Sequence, residues 1–176
     1  MRRAVLTILA ALLVLGGAAT PAGAESGSLD HPSGDAPAKI DLTRLSVENG
    51  NRWFTMRVDV RNLRQKGKFN FHYWGGTASP PARSVLIIVH RVDGETRARF
   101  LSCGREDCAP DPCARMRVAW RSADDFIRVS APQRCFPRPR NDPDAPAPAM
   151  GRFFAWSRLG DGASDTAGGL LALQRG

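Results

Sequence analysis

Lysine, histidine and tyrosine are scarce in this chain of 176 residues: it has three lysines (Lys39, Lys66, Lys68), three histidines (His31, His72, His90) and one tyrosine. The local signatures of common enzymes are missing as well. There is no H-E-x-x-H motif, no G-x-S-x-G elbow and no glycine-rich phosphate loop, so the enzyme classes marked by those motifs are excluded. A Ser-His-Asp set drawn from distant positions is not excluded, because its members meet only in the fold. No segment sustains an apolar stripe at helical spacing, which removes helical bundles and coiled coils. Cysteine occurs four times, at Cys103, Cys108, Cys113 and Cys135, with no C-x-x-C pair. The gaps of the thiols fit neither a four-thiolate zinc site nor a catalytic redox motif.

What is present begins with an address. Arg2 and Arg3 precede an apolar run over residues 5–15 and the small-residue stretch "ATPAGAE". These are the charged, apolar and cleavage regions of a secretory signal. The run is shorter than the roughly 20 residues of a membrane span, and the expected cut follows Ala24. With no cysteine after the run and only the weak "GGLLALQRG" at the far end, the expected product is secreted, extracellular and without a membrane anchor. Removing residues 1–24 leaves 152 residues (176 − 24), enough for one domain with a true core. The formal charge falls from +8 to +6, because Arg2 and Arg3 leave and no acid does.

The mature chain reads as short strands. "ESGSLDHPSGDAPAK" (25–39) is polar and broken by proline and glycine, and is expected to be a loop. In "RWFTMRVDVRNL" Phe54, Met56, Val58 and Val60 alternate with polar residues, the period of a half-buried strand. "IDLTRLSV" and the turn "ENGN" precede it, giving a hairpin. "FNFHYW" alternates again. "SVLIIVHRV" is a continuous apolar run, expected to be buried on both faces, and "VDGE" turns it back into "TRARFL". "RMRVAW" and "FIRVSA" flank "RSADD" as a further hairpin, and "GRFFAWSRL" and "GGLLAL" close the chain. Roughly eight strands with closely spaced turns predict an all-β fold. A single antiparallel β-sandwich over 40–176, jelly-roll or immunoglobulin-like and held by two disulfides, is the expectation. The proline-rich stretch 137–150 is expected to be a surface loop.

Export makes disulfides the default state of paired cysteines. With the last hairpin centred near Ala123, Cys113 and Cys135 fall nearly opposite one another, which pairs them and leaves Cys103 with Cys108 around "GRED". The competing pairing joins Cys103 to Cys135 and Cys108 to Cys113.

Candidate functional residues fall into three groups. Asp30, Asp35 and Asp41 are spaced along one loop, as calcium requires, although Asx-type turns use the same residues. No cofactor other than calcium is implied. Arg115, Arg117 and Arg128 lie in the outward phase of their strands, with Arg57, Arg61 and Arg121 in similar positions; such rows either grip anions or simply keep a sheet face solvated. Trp53 and Trp74 also fall in the outward phase, where an indole covers the apolar face of a sugar ring or is itself covered by a loop. The leading reading is a non-catalytic module binding a cell-envelope polysaccharide or an anionic polymer, with nucleic acid not an expected partner. The alternatives are a secreted hydrolase with a loop-assembled site and an interaction protein using the loop "CGREDC".

"GDAPAKIDLTRLSV", a strand like "FTMRVDVRNL", and "FIRVSAPQRC" together resemble a group of exported β-sandwich proteins common in actinobacteria. The resemblance spans roughly residues 30–135 and implies the sandwich fold without implying an activity. "GD" followed by "ID" is also similar to the opening of carbohydrate-binding jelly-roll modules, which implies calcium at Asp35 and Asp41. The cysteines of "SCGREDCAPDPC" depart from the group's two-cysteine pattern.

Overall fold

Alternation along the strands dictates two faces, and the protein stacks two antiparallel sheets so that one face of each is hidden. The computed structural model describes residues 25–75, 84–104, 107–136, 150–159 and 162–173. The signal segment 1–24 and nearly all of the proline-rich stretch lie outside these residues. The described chain contains eleven strands, one 3-10 turn (Gln133–Cys135) and no α-helix. Among the described residues, no helix is long and apolar enough to cross a membrane.

The five-stranded sheet is ordered β1 (Glu25–Asp30), β2 (Leu42–Asn49), β3 (Trp53–Val60), β9 (Phe126–Pro132) and β8 (Arg117–Arg121). The six-stranded sheet is ordered β11 (Ser164–Ala172), β10 (Met150–Arg158), β4 (Gly67–Gly75), β5 (Ser84–Val92), β6 (Glu95–Cys103) and β7 (Cys108–Pro110). Between them lies one core. Phe54, Met56, Val58 and Val60 of β3 face Phe69, Phe71 and Tyr73 of β4, with Val85, Ile87 and Val89 of β5 beside them, all buried. Each such side chain contributes roughly 1.5–3 kcal/mol by leaving water. At one end Phe54 packs at 4.6 Å from Phe136 and 5.7 Å from Phe153, a tilted and stacked aromatic cluster that closes the sandwich.

Both predicted disulfides are present: Cys103–Cys108 and Cys113–Cys135. The second clamps the β8–β9 ribbon, whose register sets Arg117 opposite Ser130 and Arg121 opposite Phe126. The first joins opposed positions of β6 and β7.

Two local expectations are corrected. Residues 25–39 are not all loop: "ESGSLD" forms β1, an edge strand held by full antiparallel pairing to β2. The run in β5 is not buried on both faces. Val85, Ile87 and Val89 are buried, whereas Leu86 and Ile88 are half-buried on the outer face and His90 is exposed. A β-bulge between Leu42 and Arg44 lets both Leu42 and Leu45 face the core, a phase change that simple alternation does not predict.

Candidate anion-binding face

The outer face of the five-stranded sheet is a grid fixed by register. One row runs Ser26, Glu48, Thr55, Ser130, Arg117 across the strands; the next runs Ser28, Ser46, Arg57, Arg128, Ala119; the third runs Asp30, Arg44, Asp59, Phe126, Arg121. These are the side chains that the period of two turns away from the core.

Both carboxylates of the third row are paired. Arg44 Nε donates to Asp30 Oδ1 at 2.6 Å. Arg57 reaches across to Asp59 Oδ1 at 2.7 Å and lies 4.0 Å above the ring of Phe126. The opposite corner is different. Arg117 lies over Trp53, its guanidinium 4.5 Å from the ring centre, and among the described residues neither Arg117 nor Arg128 has a carboxylate within ion-pairing distance. Thr55 and Ser130 share a hydroxyl hydrogen bond of 3.0 Å between them. Trp53, Thr55, Arg117, Val118, Ala119, Arg128 and Ser130 line a shallow recess of about 190 Å³ that contains no acidic group. It continues through Thr55, Arg128 and Ser130 into a larger concavity of about 480 Å³, edged by Ser26, Ser28, Ser46 and Glu48. Two guanidinium groups, and the one hydroxyl proton not used between Thr55 and Ser130, are donors for an oxyanion at this recess.

The residues singled out in the sequence are therefore divided. Trp53, Arg117 and Arg128 come together. Arg115 does not line the recess; it sits exposed in the turn before β8, with φ at 70°. Trp74 lies on the other sheet, so the two tryptophans do not form one platform. One face of Trp53 is covered by Arg117. Missed were Thr55, Ser130 and the serines of β1 and β2, although the same alternation that exposed the arginines places them outward.

Asp30, Asp35 and Asp41 do not make a common cage. Asp30 pairs with Arg44. Asp41 is fully buried, accepting from Gly34 N–H at 2.8 Å and Arg61 Nε at 2.8 Å. Asp35 lies instead beside His31 and Asp165.

A serine and a histidine do meet on the outer face of the six-stranded sheet, where His72 Nε2 is 2.9 Å from Ser84 Oγ. Burial holds His72 down at about 4, so its ring is neutral near pH 7. A neutral imidazole has one in-plane lone pair. The indole N–H of Trp74 lies 2.8 Å from Nδ1 and 2.6 Å from Nε2, so it competes with the Ser84 hydroxyl for that lone pair. Among the described residues, no carboxylate lies within ion-pairing distance to orient the ring as a general base requires. Trp74 and Trp156 instead pack edge-on against His72, at 5.1 and 5.7 Å.

No protein-family model matches the chain, and no curated protein and no solved structure is significantly similar to it.

Proposed function

We propose that this is a secreted, non-catalytic module that binds an anionic, hydroxyl-rich polymer of the cell envelope through the outer face of its five-stranded sheet. Secretion rests on the signal-like opening and on the two disulfides, which suit an oxidising compartment. The observation that carries the ligand reading is the convergence of Arg117 and Arg128, without a neutralising carboxylate among the described residues, on the Thr55–Ser130 hydroxyl pair. A phosphate, sulfate or carboxylate group of the polymer takes the arginines. Its hydroxylated units meet Ser26, Ser28, Ser46 and Glu48 in the adjoining concavity. Open, shallow and shared across five strands, the surface suits an extended chain better than an enclosed small molecule.

The test is retention of the mature protein on immobilised glycerol-phosphate polymer and on heparin, eluted with salt, with a neutral glucan as control. Charge-assisted contacts predict retention on both anionic columns, weakening as salt rises, and none on glucan. A hydrogen bond to a charged group is worth roughly 1.5–3 kcal/mol, so Arg117→Ser and Arg128→Ser each lower affinity about tenfold or more. Coelution of the double variant with the parent protein overturns the proposal.

A further inference from the structure

Where the two sheets meet near the start of the mature chain, a second constellation lies outside the anion-binding face. His31 follows β1, Asp35 lies in the turn beyond it, and Asp165 belongs to β11 of the other sheet. One donor atom from each lies within 4.8 Å of the other two. Asp165 is held from both sides by backbone: Leu42 N–H donates to Oδ2 at 2.6 Å and Thr166 N–H to Oδ1 at 2.7 Å. Its side chain is only 5% exposed.

His31 Nδ1 is 3.1 Å from the carbonyl oxygen of Leu42. A carbonyl only accepts, so this nitrogen carries a proton, and Nε2 is the ring nitrogen left to face a ligand. That nitrogen lies 3.9 Å from Asp165 Oδ1, which also only accepts. A second ring proton or a bound cation can join the two. The separation exceeds the roughly 3 Å of a direct hydrogen bond. It fits two donors on one ion, each about 2.0–2.2 Å from the centre. Asp35, whose side chain is 50% exposed and lies 3.9 Å from Nδ1 of the same ring, would complete the set by rotating toward Nε2. Beneath the same loop the buried Asp41 Oδ1 has no hydrogen-bond partner among the described residues, and adds negative charge that only Arg61 offsets.

We propose that His31, Asp35 and Asp165 bind a divalent first-row transition ion of the zinc or nickel type. One imidazole with two carboxylates matches such ions, whereas calcium takes about six to eight oxygens. The Nδ1–H contact to Leu42 is the outer support that fixes the ring and its tautomer. The ion ties the β1–β2 connection of one sheet to β11 of the other. That seam is otherwise crossed by Leu42 N–H to Asp165, Asn49 to the Leu173 carbonyl and Ser157 to the Ile40 carbonyl.

The experiment is thermal unfolding and calorimetric titration of the chelator-treated mature protein with zinc, nickel or calcium chloride at matched concentrations. Zinc or nickel raises the unfolding temperature by several degrees and calcium does not. Asp35→Asn, a change at an exposed side chain, leaves the metal-free unfolding temperature unchanged and weakens zinc about tenfold or more, as does His31→Gln. No response to any ion, an equal response to calcium, or undiminished zinc affinity in Asp35→Asn overturns the proposal. Polymer binding is not involved in any of these readouts.

Discussion

Arg128 stands directly across from Arg57 in the β3–β9 ladder, and only Arg57 has an acidic partner among the described residues. Like charges placed opposite one another on a sheet are destabilising by a few tenths to about 1 kcal/mol. A face that served solvation alone would gain by replacing one of them. Arg128→Ser is therefore expected to leave thermal stability unchanged or slightly raised while lowering polymer affinity about tenfold. Melting and binding measured on the same preparation separate the two effects. A loss of both together would assign Arg128 to the scaffold.

The two disulfides should contribute unequally. Closing the 22-residue separation of Cys113 and Cys135 removes more unfolded-chain entropy than closing the 5-residue separation of Cys103 and Cys108. The chain-entropy model gives about 3 kcal/mol for the first and about 2 kcal/mol for the second. Urea unfolding of the Cys113→Ala/Cys135→Ala and Cys103→Ala/Cys108→Ala proteins measures both, and an equal or reversed order contradicts this.

The ribbon carrying that longer bridge was legible before any coordinates, because "RMRVAW" and "FIRVSA" alternate around a turn that sets Cys113 and Cys135 nearly opposite. The strand of Phe54, Met56, Val58 and Val60 was equally plain. The sequence "ESGSLD" hid β1, since an edge strand with little apolar content is stabilised by its ladder to β2 and carries no hydrophobic period of its own. Leu86 and Ile88 misled in the other direction: apolar residues on both sides of β5 signal burial, yet the outer side of the six-stranded sheet is only half-buried there. The arginines of the anion-binding face could be placed outward by phase. Their convergence could not, because it depends on which strand neighbours which, and Arg117, Arg128 and Trp53 share a recess only after β3, β9 and β8 align. Asp165 was beyond reach altogether, being 123 positions from the Leu42 amide it accepts.

Tyr73 buries a hydroxyl that has no hydrogen-bond partner among the described residues. Desolvating an unpaired hydroxyl costs about 1–3 kcal/mol. The ring itself stacks on Phe153 at 5.2 Å, a contact that phenylalanine keeps. Tyr73→Phe should raise stability by about 1 kcal/mol in chemical denaturation, and a destabilised variant would reveal a partner for the hydroxyl.

Acid sensitivity should trace in part to His72. Its folded-state value of about 4 lies below the ordinary 6.5 because burial disfavours the charged ring. Between those values the unfolded chain holds a proton that the folded protein does not, so this group's contribution is full above pH 6.5 and is lost as pH falls toward 4. His72→Gln should flatten stability across that window relative to the parent protein. Parallel pH profiles for the two proteins contradict the assignment.

The most direct measurement of the central claim is an NMR titration of the isotope-labelled mature protein with a short glycerol-phosphate oligomer, following backbone amides and arginine side chains. The predicted result is saturable shifts confined to Thr55, Arg117, Arg128, Ser130 and the facing serines of β1 and β2, shrinking as salt is added. Shifts centred on the exposed Lys68, His90 and Arg97 of the opposite sheet, or none at all, would contradict it.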